Sequence, residues 1–257
     1  LAQIGYDRSL PVVLIGCAPC QGFTAHRKRN WNVLDDRNDL IGAFAKVVSK
    51  IQPDFIVMEN VPELLAHKYW SYFDSFRNHI AESGYTVKQG IHNAASFGTP
   101  QDRFRALIFA SRLEFKLPRP LIEAGDYLTV RDAIGGLPPV KAGDSPSEDG
   151  FHRSARHRAS TIEVIRAVPP NGGSRPAGIG PKCLDRVDGY YDVYGRLAWD
   201  KPSITITHYA RNPASGRFVH PVQDRGLTMR EAARLQGFPD TFLIDGTFDD
   251  TFRQIGE

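Results

Sequence analysis

Two cysteines that lie three positions apart follow an apolar run, and both residues are capable of covalent chemistry. The run Val12-Val13-Leu14-Ile15 leads into the segment GCAPCQGFT, which contains Cys17 and Cys20. This spacing is compatible with a redox pair, half of a zinc site, or one nucleophilic thiolate beside a neighbour of no chemical importance. Ligands of open α/β sheets bind beyond the carboxyl ends of the strands, and Cys20 has such a position.

The surrounding sequence argues against zinc but leaves the other roles open. A zinc site needs two further ligands, and the third cysteine, Cys183, has no second cysteine or close histidine pair beside it. A thioredoxin-like pair opens a helix, whereas the following QGFTAHRKRN has the composition of a loop. A nucleophile, a redox pair and inert core cysteines remain as alternatives at this point.

Charged side chains at two other predicted strand ends complete a possible reactive site. Glu59 follows the apolar stretch 55–58, where it is either a helix cap or a reactive-site acid. Arg103 and Arg105 enter the predicted strand 106–110 at alternate positions, so they form either a clamp for an anion or carbonyl, or a surface ion pair. A thiol, a carboxylate and paired arginines at three strand ends favour the reactive site over chance.

Four motifs resemble those of the DNA (cytosine-5) methyltransferases, in the order and spacing of that family. They are Pro19-Cys20-Gln21, Glu59-Asn60-Val61, Gln101-x-Arg103-x-Arg105 and REAARLQGFP at 230–239. The resemblance covers nearly the whole chain except about 120–190, where the family keeps its target-recognition domain.

The resemblance implies a role for each residue of the site. Cys20 is expected to add as a thiolate to C6 of a flipped-out cytosine, which activates C5 to take a methyl group from S-adenosylmethionine. Glu59 is expected to stabilise charge at N3, while Arg105 and Arg103 hold the O2 side of the ring or orient Glu59. Cys17 is then a packing residue at the strand end.

The implied substrate is duplex DNA, and the charge distribution agrees with a polyanionic partner. The net charge is only +3, yet residues 151–217 hold eleven Lys and Arg against five Asp and Glu. The loop after Cys20 is expected to close over the flipped base. The residues predicted to contact DNA are Gln21, Arg27, Lys28, Arg29, Arg153, Arg156 and Arg158.

The elements that position these residues alternate between strand and helix, which predicts a doubly wound α/β sheet with right-handed crossovers. The resemblance implies a Rossmann-like S-adenosylmethionine-dependent methyltransferase sheet, incomplete at the N-terminus, with a small irregular recognition lobe. Predicted strands are 11–16, 55–58, 85–93, 106–110 and 204–207, and predicted helices are 40–51 (ended by Pro53), 69–83 (closed by Gly84) and 229–236 (capped by Thr228 and Glu231).

Three functional parts are expected along the chain. Residues 1–118 form part of the catalytic α/β domain, residues 119–200 form the target-recognition region, and residues 201–257 return to the catalytic domain. The chain begins at Leu1 and ends at Glu257, and the family's other cofactor-binding turns have no match. Pro19 and Leu40 are therefore the expected cofactor contacts. The chain is expected to be inactive alone, as a shortened gene product, a cloned fragment or one subunit of a split enzyme with a complementary partner.

Composition excludes several classes of protein, and two rival functions remain. No apolar run approaches the ~20 residues of a membrane span, no metal site is expected, and three cysteines favour a cytoplasmic setting over a disulfide scaffold. One rival function is a catalytically silent DNA-binding fragment. The other is an RNA cytosine-5 methyltransferase, against which the large basic region argues.

Overall fold

The computed structural model describes residues 9–17, 40–66, 69–145, 148–186 and 190–257. The chain divides into two compact units. The first unit comprises residues 1–93 with 104–119, and the second comprises 94–103 with 120–257. The predicted boundaries at 118 and 200 divide the chain into catalytic and target-recognition parts. This functional division stays a prediction.

The described residues of the first unit form a four-stranded mixed sheet and two α-helices. The sheet order is β1-β2-β4-β3, with β1 and β2 parallel and β4 antiparallel to both β2 and β3. The sequence predicted right-handed crossovers, which join parallel strands, but it did not predict the antiparallel direction of β4. The elements are β1 Val13–Cys17, α1 Leu40–Ile51, β2 Phe55–Asn60, α2 Trp70–Ala81, β3 Thr86–Asn93 and β4 Phe104–Ser111.

One face of this sheet is buried beneath the two helices. Ile56 and Met58 of β2 alternate with outward-facing residues, and Ile108 of β4 lies on the same buried face. They pack in one cluster with apolar residues of both helices, among them Val48 of α1 and Phe73 of α2. The predicted helix 40–51 is confirmed, and it ends before Pro53 as expected.

The other face is open along β1, which the sequence predicted to be a buried strand. Val13 and Ile15 are 56% and 69% exposed. Within the described part of the first unit, β1 pairs with β2 alone, and α1 and α2 pack on the opposite face. An uninterrupted apolar run shows that a strand has no polar face, but it does not show what covers each face.

The described residues of the second unit form four short α-helices and two apolar clusters. Three of the helices start with a threonine whose hydroxyl oxygen accepts a hydrogen bond from the backbone N–H three residues on. The backbone N–H of the same threonine donates to the carboxylate of that third residue. The predicted capping box of Thr228 and Glu231 is among them and is confirmed. The helices are α3 Val130–Ile134, α4 Ala159–Arg166, α5 Met229–Leu235 and α6 Phe248–Gly256.

The strand predicted at 204–207 is absent from the described structure. Ser203 forms one isolated bridge with Gln101, and the next residues bond to side chains or to single backbone groups. The prediction of a strand from alternating Ile and Thr is therefore wrong, because no neighbouring strand pairs with this segment in the described structure. In the described ranges, no helix has the length and apolar character that crossing a membrane requires.

Candidate active site and nucleic-acid interface

Glu59 and Arg105 form an ion pair on one face of the sheet in the first unit. Glu59 lies opposite Leu107 in the β2–β4 register, and Arg105 precedes Leu107 by two residues, so both side chains share a face. Arg105 Nε lies 2.7 Å from Glu59 Oε1, and the two side chains are 21% and 30% exposed. The carboxylate is thus held in place by the guanidinium, and the Glu59 side chain remains partly exposed.

The antiparallel direction of β4 brings these two residues together. The start of β4 lies beside the end of β2, so a residue that enters one strand meets a residue that leaves the other. Glu59 is the fifth residue of β2, and the short 3₁₀ helix Pro62–Leu65 begins after Val61 with no side-chain cap. The alternative of a helix cap for Glu59 is therefore wrong.

Arg103 has a different environment from Arg105. It belongs to the second unit, where its Nη1 donates a hydrogen bond to the carbonyl oxygen of Ile206 at 3.4 Å. Arg105 lies in β4 of the first unit. The strand starts at Phe104, so these two alternate positions of the sequence belong to different compact units.

Gln101, the first residue of the same motif, is a buried connector in the second unit. Its Oε1 accepts a hydrogen bond from Ile206 N at 2.9 Å, and its Nε2 donates to Leu235 O at 3.1 Å and also to the Gln236 side chain. Gln236 in turn donates to Ile255 O at 2.8 Å. The motifs at 101–105 and 230–239 are therefore joined to each other, and to the backbone at Ile206 and Ile255, by side-chain amides whose bonds lie inside the protein.

Much of the predicted nucleophile region lies outside the described residues. This applies to Pro19, Cys20, Gln21, Arg27, Lys28 and Arg29, whose roles stay predictions. Cys17 is the last residue of β1 and lies opposite Glu59, but it is exposed and not the packing residue that we expected. Leu40 is the first residue of α1 and is 39% exposed, which leaves apolar surface for a ligand.

The arginines of the second unit that were predicted to contact DNA are exposed, and two of them line a pocket. All three, Arg153, Arg156 and Arg158, are exposed. Arg153 and Arg156 line a pocket of about 320 Å³ together with Arg211, which the sequence reasoning did not single out. Arg158 precedes α4 at its N-cap position. More than fifty residues separate Arg211 from Arg156, so no local pattern could have linked them.

Several other arginines of the basic segment point inward. The guanidinium of Arg196 is 3% exposed and donates to four backbone carbonyls and to Asp224. Arg217 donates to three carbonyls and pairs with Asp192 at 2.9 Å. Arg175, 7% exposed, pairs with Asp185 at 2.9 Å. Part of the positive balance counted along the sequence therefore supports the fold and is unavailable to a ligand.

A fully buried ion pair lies at the start of α5. Both terminal nitrogens of Arg225 donate to Glu231, each at 2.7 Å, and neither side chain is more than 1% exposed. Burial by itself raises the pKa of Glu231, but hydrogen bonds and charge from Arg225 lower it below its ordinary value. His220 lies 3.8 Å from Glu231, and burial lowers the pKa of its imidazole to about 4.

Side chains of the kinds that bind metals do not cluster in the described ranges. In the part of the chain that the structure describes, no group of three or more His, Cys, Asp or Glu side chains is arranged to hold a metal ion.

Comparisons with known proteins give one consistent family. The family described as C-5 cytosine-specific DNA methylase matches residues 4–257. The Type II methylase M.HgiDII of Herpetosiphon aurantiacus is 34% identical over 98% of this chain and 73% of its own length. The Type II methyltransferase M1.HphI of Haemophilus parahaemolyticus is 37% identical over 95% of this chain and 63% of its own length.

A solved structure shows the same fold. A protein described as a DNA modification methyltransferase encoded within an E. coli prophage superposes with a TM-score of 0.68 at 24% identity. The match covers 97% of this chain and 75% of that one. The predicted fold class, a Rossmann-like methyltransferase α/β fold, is confirmed. With a family match over nearly its full length and these relatives, the chain belongs to the C-5 cytosine-specific DNA methylase family.

Proposed function

We propose that this chain provides the catalytic and recognition residues of an enzyme that methylates C5 of cytosine in duplex DNA. The observation that carries the proposal is the Glu59–Arg105 ion pair, which presents a partly accessible carboxylate at the end of β2. Cys17 at the end of β1 lies opposite Glu59. Cys20 follows three residues later, a length of chain that spans at most about 11 Å. This short separation supports a common site.

The chemistry assigned to the residues starts with Cys20. Its thiolate adds to C6 of the cytosine ring, which converts C5 into an enamine carbon able to attack a methyl group. Glu59 in its protonated form donates a proton or hydrogen bond to N3, where negative charge develops, and Arg105 holds the resulting carboxylate in place. Loss of the C5 proton to a base then expels the thiolate and releases the methylated ring.

The methyl group comes from S-adenosylmethionine, which supplies a sulfonium-activated carbon. Leu40 fits a contact with such a molecule, because it offers exposed apolar surface at the first position of α1. Pro19 is proposed as a second contact. These are apolar contacts, and they assign no ligand to the ribose hydroxyls.

Access to the ring requires the target cytosine to leave the duplex. A stacked base cannot receive a thiolate at C6, so we assign base flipping to this chain, at an unstacking cost of a few kcal/mol. Residues 119–200 are proposed to read the target, with 1–118 and 201–257 in the catalytic part. A complementary subunit remains a proposed partner.

Trapping on DNA that contains 5-fluorocytosine tests the nucleophile. Fluorine replaces the removable C5 proton, so the thiolate cannot leave after methyl transfer and a covalent protein–DNA adduct persists. With S-adenosylmethionine and the proposed complementary subunit present, we expect the wild-type chain and Cys17→Ser to form the adduct and Cys20→Ser to form none. Loss of the adduct in Cys17→Ser with the fold intact would contradict the assignment.

Two further assays separate the rival functions. A silent DNA-binding fragment would bind duplex DNA with salt-dependent affinity but form no adduct and fail to bind S-adenosylmethionine in calorimetry. An RNA cytosine-5 methyltransferase would methylate transfer RNA in preference to duplex DNA in a side-by-side assay. We expect methyl transfer to duplex DNA and none to transfer RNA.

A further inference from the structure

A pocket in the second unit gathers three arginines from distant parts of the chain. Arg153 and Arg156 come from the segment before α4, and Arg211 comes from a turn more than fifty residues later. The pocket has a volume of about 320 Å³, and Asp249 is the one acidic residue among the described residues that line it. We propose that the Arg153–Arg156–Arg211 pocket binds a backbone phosphate of duplex DNA. This inference rests on the proposed function.

The floor of the pocket is fixed by hydrogen bonds. Ser154 is only 3% exposed, and its Oγ donates to Lys141 O and accepts from Gly143 N, both at 3.2 Å. Its backbone also bridges to Thr228. The buried serine therefore anchors the short segment on which Arg153 and Arg156, both exposed, are carried. A site with an anchored backbone loses less conformational entropy when it binds.

Gly143 restricts the same wall. Its φ of +86° is a left-handed conformation, and a Cβ there would lie 3.2 Å from Arg156 Cβ. Glycine thus permits both the turn and the close approach of the Arg156 stem. The contacts of Ser154 and Gly143 thus restrict the backbone beside Arg156.

The electrostatics favour an anion with several oxygens. The Arg153 guanidinium carbon lies 5.0 Å from the centre of the Phe248 ring, a cation–π contact that uses the charge and does not require its N–H donors. Arg211 Nη1 lies 3.2 Å from Asp249 Oδ1, whereas among the described residues Arg153 and Arg156 form no ion pair. Three guanidinium groups against one carboxylate leave an excess of two positive charges. Planar guanidinium groups match phosphate oxygens bidentately.

DNA is the phosphate source that the charge distribution favours. Arg175, Arg196 and Arg217 of the basic segment are used by internal carbonyls and carboxylates. The exposed arginines of the pocket therefore supply part of the positive charge that the segment presents to a polyanion such as DNA. A contact of this kind fixes the register of the protein on the duplex without reading sequence.

Salt-dependent binding of a short DNA duplex to the full chain tests the pocket. Arg156→Gln and Arg211→Gln should each reduce the magnitude of the slope of log K against log salt by about 1, equally for all duplex sequences. Arg166→Gln is the matched control, since Arg166 is also exposed and pairs with one aspartate, Asp224, at 3.4 Å. It should leave the slope unchanged.

A variant with the opposite sign makes the test independent of folding defects. Asp249→Asn removes the one carboxylate of the pocket and releases Arg211. It should tighten duplex binding by about two- to fivefold at low salt, the equivalent of one exposed ion pair. Damage to the fold would weaken binding, so a gain of affinity points to the pocket.

The outcomes separate this inference from the proposed function. If wild-type protein binds duplex DNA but Arg156→Gln, Arg211→Gln and Asp249→Asn all behave as Arg166→Gln does, the pocket is solvated surface and the proposed function stands. If the variants change affinity for an RNA duplex alone, the assignment to DNA is wrong. If wild-type protein binds no DNA duplex, both the pocket's ligand and the proposed function are contradicted.

Discussion

At the scale of single residues, Glu59 carries the clearest prediction for activity. Its ion pair with Arg105 is partly exposed and so contributes at most about 1 kcal/mol to stability. Glu59→Gln retains shape and hydrogen bonding but cannot deliver a proton, so the rate of methylation should fall by ~10²–10⁴. Methyl transfer to duplex DNA and thermal melting should be measured together.

Glu63 offers a matched control for this carboxylate. It lies four residues further along, within the 3₁₀ helix Pro62–Leu65. Glu63→Gln should leave the methylation rate near that of the wild type. A lower melting temperature of Glu59→Gln with near-normal turnover would show that the Glu59–Arg105 pair is structural and that another group acts at N3.

His220 makes stability depend on pH. Burial is the main cause of its low pKa of about 4, and nearby Arg225, Arg196 and His152 lower it further, while Glu231 raises it. Its Nδ1 also accepts bonds from the backbone N–H groups of Val222 and Gln223, at 3.2 and 3.0 Å. The His220 imidazole is therefore neutral in the folded protein above about pH 4.

The direction of the pH effect follows from this neutral form. An unfolded chain takes up the proton near pH 6.5, so the stabilisation is complete above that pH and declines as pH falls towards 4. The loss attributable to His220 is about 3 kcal/mol across this interval. Urea unfolding at pH 7 and pH 5 should show a smaller decline for His220→Gln than for wild type. His208→Gln, at an exposed histidine, should decline as wild type does.

At the scale of elements, the end of α6 depends on a close approach between two backbones. A Cβ on Gly256 would lie 2.0 Å from His208 N and 2.2 Å from the Thr207 carbonyl carbon. Neither group can move as a flexible side chain would. Gly256→Ala should therefore shift α6 and lower the free energy of unfolding by about 1–3 kcal/mol.

A second glycine separates this contact from general effects of alanine. Gly125 also lies in the second unit, but a Cβ added there would meet no described heavy atom within 4 Å, and its φ lies outside the left-handed region. Gly125→Ala should change the urea midpoint little or raise it slightly, because alanine reduces the entropy of the unfolded chain. Equal stability of the two variants would show that the Gly256 contact yields without cost.

At the scale of the whole molecule, the two compact units have separate apolar cores. Phe73 is fully buried in the cluster of the first unit, and Phe252 is fully buried in the cluster of the second. Phe73→Ala should destabilise its own unit by about 3–5 kcal/mol. Amide hydrogen exchange should then accelerate in β2 and β4 while α5 keeps its protection.

The reciprocal variant provides the control. Phe252→Ala should accelerate exchange in α5 and leave β2 and β4 protected. If either variant exposes both sets of amides equally, the two units unfold as one cooperative structure and the prediction of separate opening is wrong.

Local features of the fold could be predicted from the sequence alone. The helix that ends before Pro53 and the capping box at Thr228 depend on bonds between residues a few positions apart, so their pattern is present in the sequence itself. The family motifs indicated the chemistry for the same reason, since each is a short run of residues. The motif identified Glu59 as a candidate, but the residues around it did not decide whether it caps a helix or acts as a reactive-site acid.

The tertiary structure decided the direction of β4, the exposure of β1 and the partner of each arginine. Arg196 reaches carbonyl oxygens of Ile165 and His220, residues more than twenty positions away on either side. A count of charges treats this buried guanidinium and the exposed one of Arg156 alike. Burial and pairing depend on which distant segments meet, and that contact, set by packing of the whole chain, leaves no local pattern in the sequence.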